Sequence, residues 1–186
     1  MSPNASQDEV TLPLVHAWRA SLDAAGNDAC ELLANLADDS PADLSGHFYA
    51  VLMQDPRASR FLDHDKVRDR LKPAMQRWIG QLLRADSSQV EALIATQATI
   101  GEVHARVGIP VDLVARGMRA LKLALHDQLV TRAPSTAVAH AAIRSLISSM
   151  SIAQEGMTLA YSRSRDRSER ADAAYRLFSL IQNITA

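Results

Sequence analysis

Apolar residues recur along this chain at helical spacing. Leu14, Trp18 and Leu22 stand four apart, the period of one face of an amphipathic helix. Gly26-Asn27 breaks that run, and Ala29 to Ala37 forms the next, with Leu32, Leu33 and Leu36 turned inward. Ser40-Pro41-Ala42-Asp43 predicts a third start: serine as N-cap, proline at the first helical position, aspartate facing the free amides. That helix carries Leu44, Phe48, Val51 and Leu52 along one side, with Tyr49 beside them. Asp55-Pro56 predicts a short helix through Phe61-Leu62. From Lys66 to Leu83 the residues Val67, Leu71, Met75, Trp78, Ile79 and Leu82 keep a 3–4 period. Pro73 lacks the amide that would bond residue 69, so the helix either begins there or kinks. Ser88-Gln89-Val90-Glu91 reads as a capping box. Gly108 ends the helix it opens, and Pro110 starts another running to about Arg132. After Ala133-Pro134-Ser135 a long final helix runs from about Thr136.

That last helix changes character. Up to Tyr161 it is rich in Ala, Ser, Ile and Met, which suits close packing. Ser162 to Arg170 (SRSRDRSER) is polar throughout, and Leu177, Phe178, Leu180, Ile181 and Ile184 return to apolar character. A lone helix with such a stripe has nothing of its own to bury against. Pairing with a second copy, or contact with a further domain, accounts for it.

Composition narrows the function classes. Hydrophobic residues make up 47% of the 186, enough for a packed core. Twenty Lys+Arg stand against 21 Asp+Glu, so a whole-chain electrostatic grip on nucleic acid is not expected. Aromatics are 4%, too few for a base-stacking platform. In SRSRDRSER, Asp166 and Glu169 interleave the arginines, and the run reads as a solvated face. The single Cys30 rules out an internal disulfide and fits a reducing cytoplasm. No apolar run approaches the ~18 residues of a membrane span, and the N-terminus has no signal pattern. The expected organisation is a disordered N-terminus over 1–10, an all-α domain over 11–161 and a helical linker over 162–186.

The candidate chemistry centres on His104. Leu93, Gln97, Ile100, His104 and Val107 share one helical face, apolar apart from Gln97 and His104. A histidine there is either a core residue with a satisfied hydrogen bond, the commoner case, or an axial ligand. HxxxH, CxxC and clustered acids are missing, so zinc and di-iron sites have no support. A lone buried histidine on a helix is what haem needs: one neutral imidazole nitrogen, and an apolar slot for the porphyrin. Tyr49 is the second candidate. Such a tyrosine usually turns its hydroxyl to solvent or to a carbonyl. In an apolar cavity it can instead donate to a bound dioxygen, which draws negative charge from iron. His16, His47, His126 and His140 read as surface or interface, and His64 as an exposed turn residue.

At these residues the chain resembles the bacterial globin-coupled sensors. Ile100-Gly101-Glu102-Val103-His104-Ala105-Arg106-Val107-Gly108-Ile109-Pro110 is similar to the family's IGxxHxRxGLP-type signature around its proximal histidine. Phe48-Tyr49 stands where the family has its distal tyrosine. Leu71 stands where its oxygen-sensing diguanylate cyclases carry a distal leucine that limits water entry. The resemblance covers roughly residues 10 to 160. It implies a globin fold with an extra N-terminal helix and no D helix. It implies haem b, with iron on His104 and cofactor contacts from Tyr49, Leu71, Phe48, Met75 and Ile100. Arg106 is placed either against a propionate or in solvent.

The resemblance also implies dioxygen as the ligand, with CO and NO as further candidates, and a homodimer through the last two long helices. Ala174-Tyr175-Arg176-Leu177-Phe178 looks like linkers that lead to a diguanylate cyclase, so a linked output domain making cyclic di-GMP is expected in a longer parent protein. The chain departs from relatives that have a distal Ser or Thr, since the matching position is Ala74, beside Pro73. The alternative is a haem-free dimeric interaction module, which would be expected to lose His104 or fill the pocket. A nitric oxide dioxygenase finds no reductase segment here.

Overall fold

The computed structural model describes residues 3–39, 41–62, 65 and 67–185. Among them are seven α-helices and no strand: α1 (Pro3–Ala25), α2 (Asn27–Asp39), α3 (Pro41–Leu52), α4 (Lys72–Leu83), α5 (Val90–Val107), α6 (Val111–Arg132) and α7 (Thr136–Thr185). The Ser40 cap and His64 lie outside the described residues. α1 begins at Pro3 and takes in most of the segment expected to be disordered.

The apolar stripes meet as their periods require. Trp18, Leu36, Leu44, Ile79, Leu121, Leu125, Leu129, Leu146 and Met150 are fully buried in one core. α5 packs along α7, α1 lies across both, and α3 packs between α4 and α6. Two glycines end helices in the left-handed region that other residues avoid, Gly26 at φ 77° and Gly108 at φ 79°. Behind Gly108, the Ile109 amide donates to the His104 carbonyl at 2.9 Å and closes α5 one turn after the histidine.

Three local expectations are corrected. Ser88 does not cap α5: its amide and hydroxyl both bond the Asp86 carboxylate, at 2.8 and 2.5 Å, and no side chain caps the helix. The segment after Asp55 makes turns and one 3-10 turn, Ala58–Arg60, in place of a short α-helix. Val107 is 49% exposed rather than inward, because it lies at the end of α5 past the core. The α-helical part begins at Lys72, one residue before Pro73, and continues directly from a π-helical turn, Val67–Leu71.

Gly101 lies at a close crossing of α5 and α7. A Cβ there would overlap the Met157 carbonyl oxygen of α7. Backbone cannot move aside as a side chain would, so Gly101→Ala is expected to destabilise the chain by about 3 kcal/mol. Gly46, inside α3, has open space where its Cβ would go. Gly46→Ala is therefore expected to stabilise by roughly 0.5–1 kcal/mol through helix propensity. Urea unfolding of the two variants checks the opposite signs.

Candidate functional site: an apolar cavity between His104 and Tyr49

A cavity of about 370 Å³ lies among α3, α4, α5 and α6, within the usual size of cofactor sites. His104, Tyr49, Leu71, Phe48, Met75 and Ile100 all line it. Residues separated by up to 56 positions in sequence thus line one cavity. Sequence reasoning assigned no site role to Leu52, Trp78, Leu113, Met118 and Met157, which also line it. Trp78 stood on an inward face by period. Met157 continues the 4, 3, 4 spacing of Leu146, Met150 and Ala153, a signal for burial but not for a place in the cavity.

Two of the four polar side chains in this lining, Trp78 and Thr99, are already committed. The Trp78 indole donates to Gln97 Oε1 at 2.9 Å, and the Gln97 amide donates to the Leu93 carbonyl at 3.0 Å. Gln97 is therefore a satisfied core residue. The Thr99 hydroxyl donates to the Ala95 carbonyl at 3.1 Å. Ala74 lines the cavity with a methyl group only. His104 and Tyr49 have no hydrogen-bond partner among the described residues, and they are the two polar side chains left to face an occupant.

Their protonation states suit that role. His104 is half-buried, and burial pushes its imidazole below its ordinary 6.5, so it is neutral at pH 7. A neutral imidazole can give its lone pair to a metal. Tyr49 is 7% exposed, and burial raises its phenol to about 12. Its hydroxyl therefore stays protonated as a donor. Its ring meets Phe48 edge to face at 5.0 Å, and the Phe48 ring fills the space where Gly117 has no Cβ.

A charged cluster buttresses the rim. The Asp55 carboxylate, almost buried, accepts the Arg57 amide at 2.9 Å and its guanidinium at 2.9 and 3.1 Å. Arg116 of α6 reaches it at 3.1 Å, and Arg57 also donates to Asp112 at 2.6 Å. The turn after α3 is thereby tied to the first turns of α6, next to the lining residues Ala58 and Leu113. The Arg57 side-chain bonds, followed by its backbone amide, hold Asp55 down to about 2 from an ordinary 3.8. A carboxylate held low contributes stability above the unfolded value and loses it as pH falls toward the folded one. Asp55→Asn is therefore expected to flatten the loss of stability between about pH 4 and pH 2. Urea unfolding across that range measures it, and an unchanged slope would contradict the assignment.

His16, His47, His126 and His140 line no part of the cavity, and Arg106 is exposed. Among the described residues no three metal-ligating side chains cluster, and no helix is long and apolar enough to cross a membrane.

Comparison with known proteins places this geometry. The family described as Protoglobin matches residues 20–167. Diguanylate cyclase DosC of Escherichia coli (strain K12) is 41% identical over 140 residues, which cover 75% of this chain and 30% of DosC. Diguanylate cyclase DosC of Shigella flexneri is 41% identical over 140 residues, 75% of this chain and 37% of that protein. The chain thus spans about a third of the length of these relatives. Among solved structures, the ferrous globin domain of E. coli DosC superposes with a TM-score of 0.75 at 36% identity, covering 78% of this chain and 98% of that one. The globin domain of a Geobacter sulfurreducens globin-coupled sensor shares the fold, with a TM-score of 0.62 at 24% identity over 73% and 90% of the two chains. The chain has the globin fold and belongs to the protoglobin family.

Proposed function

We propose that the cavity holds haem b on His104 and that the chain is the oxygen-sensing part of a signalling protein. One observation carries the reading. An apolar cavity of about 370 Å³ leaves a neutral histidine and a protonated tyrosine as its two uncommitted polar side chains. Globin-family membership brings haem binding with it, and the residues present fit the group. His104 offers one imidazole nitrogen. Leu71, Met75, Ile100 and Phe48 supply apolar surface for a porphyrin, and they also exclude water. When bound, haem supplies a ferrous iron that takes up dioxygen and related diatomic gases. Tyr49 donates a hydrogen bond to whichever ligand gains negative charge, which favours dioxygen over carbon monoxide. A haem-free module would be expected to fill this space with bulky side chains, and Ala58 and Ala74 leave it open.

The output is read from α7 and from the relatives. α7 runs to Thr185, past the end of the family match at 167. Its charged segment leads toward a linked output domain, a diguanylate cyclase by likeness to DosC. Leu123 and Val130 of α6, seven residues apart, and Ile147 of α7 are 60, 55 and 47% exposed. This stripe suits a homodimer through α6 and α7. Ligation can bias the output only by its affinity difference between dimer states, about 1–3 kcal/mol in typical allosteric systems.

Titration with hemin, combined with sedimentation equilibrium, tests the reading. One haem per chain and two chains per particle are expected. A chain that takes up no haem would overturn the sensor assignment, and a monomer at all concentrations would overturn the dimer.

A further inference from the structure

The helix that carries His104 packs along α7, and two of its contacts there differ in kind. The first is rigid. Gly101, one turn before His104, lies backbone to backbone against Met157, and Met157 itself lines the cavity. The second is polar and reversible. Glu102, two residues before His104, accepts a hydrogen bond from Arg167 at 3.0 Å. Arg167 stands ten residues beyond Met157, about 15 Å further along the helix. Beyond it, the side chains from Ser168 to Arg176 are exposed and have no partner outside α7 among the described residues. Arg167 is thus where α7 last touches the globin body through a described side chain. Both members are exposed, at 64 and 40%, so the pair is weak enough to open and close.

We infer that Glu102–Arg167 is a latch that couples ligation at His104 to the freedom of the departing α7 helix. This rests on the haem-sensor reading. The Gly101–Met157 contact leaves no slack, so a tilt or rotation of α5 about it is taken up where the contact is longer and softer. Glu102 sits on α5 next to this pivot, and a shift of the histidine helix carries it toward or away from Arg167. With the pair closed, α7 is pinned to the body as far as residue 167. With it open, α7 loses this hold at residue 167 while Leu159 and Ala160 stay packed on the body, and the linker that follows gains freedom. The ion pair has two states, and ligation biases them.

Hydrogen–deuterium exchange of the 186-residue chain tests this in two comparisons. The first uses the protein without haem. Glu102→Gln and Arg167→Gln are each expected to speed exchange of the amides over 163–172 about threefold. The double variant should equal either single one. Glu102→Arg with Arg167→Glu should restore slow exchange, which a purely structural role for either side chain would not do. Unchanged exchange in the single variants, or no restoration by the swap, would overturn the latch. The second comparison uses haem-loaded ferrous protein with and without carbon monoxide. Ligation is expected to change exchange over 163–172 in the parent chain, and the change should fall at least by half in each single variant. A ligation effect that is missing, or that survives both variants, would overturn the coupling. A chain that takes up no haem would instead overturn the reading of the cavity, and the first comparison would still decide whether the pair holds α7.

Discussion

Replacing His104 by alanine is expected to leave the chain folded and to weaken haem retention by more than about a hundredfold, since partners one shell removed from a metal already account for 10–100-fold. The fold should survive because position 104 is half-buried on a regular helix and alanine is the best helix former. Its side chain makes no hydrogen bond that the substitution would orphan. The apolar wall remains, so some haem should still partition loosely into the cavity. The deletion removes the one neutral imidazole in the lining. Hemin titration followed by absorption measures the loss, and far-ultraviolet circular dichroism confirms the fold. Added free imidazole should recover part of the binding by filling the vacated volume. Haem held tightly in this variant would place the ligand elsewhere.

Tyr49→Phe is expected to speed dioxygen dissociation by roughly 10- to 100-fold, the value of a hydrogen bond of about 1.5–3 kcal/mol to a charge-bearing acceptor. The substitution removes only the hydroxyl. The edge-to-face contact with Phe48 at 5.0 Å is kept, so packing should be unaffected. Among the described lining residues no other donor is positioned to substitute: Trp78 is committed to Gln97, Thr99 to Ala95, and Ala74 carries none. Carbon monoxide gains little charge, so its dissociation should change by less than about threefold. Stopped-flow displacement of each gas separates the two. An unchanged dioxygen rate would contradict the donor role, and equal acceleration of both gases would point to altered access rather than a lost hydrogen bond.

The fold was legible where one face of one helix decides burial. Trp18, Leu36, Leu44 and Ile79 are buried as their 3–4 period requires, and Gly108 and Pro110 mark the α5–α6 corner. It was less legible where a neighbour competes for a local group. Asp86 takes the Ser88 amide and hydroxyl and so removes the expected cap. Arg57 turns back on Asp55, and the short helix gives way to turns. The cavity was half legible. The signature around His104 and the tyrosine upstream supplied two of its walls. Gln97, polar on an apolar face, turned out to be bound to Trp78 and to have no need of a ligand. The Asp55–Arg57–Arg116–Asp112 cluster joins residues some 55 to 61 apart, and Met157 enters the lining from α7, more than 50 residues beyond His104. Pairings across such distances depend on the fold, and no local pattern announces them.

The most direct test of the central claim is one set of absorption spectra. The hemin-loaded, reduced chain is measured under nitrogen, then in air, then under carbon monoxide. A gas-binding haem on His104 predicts a strong Soret band that moves to a different position with each ligand. A band that stays fixed through all three atmospheres, or a flat spectrum after hemin is added, would contradict it.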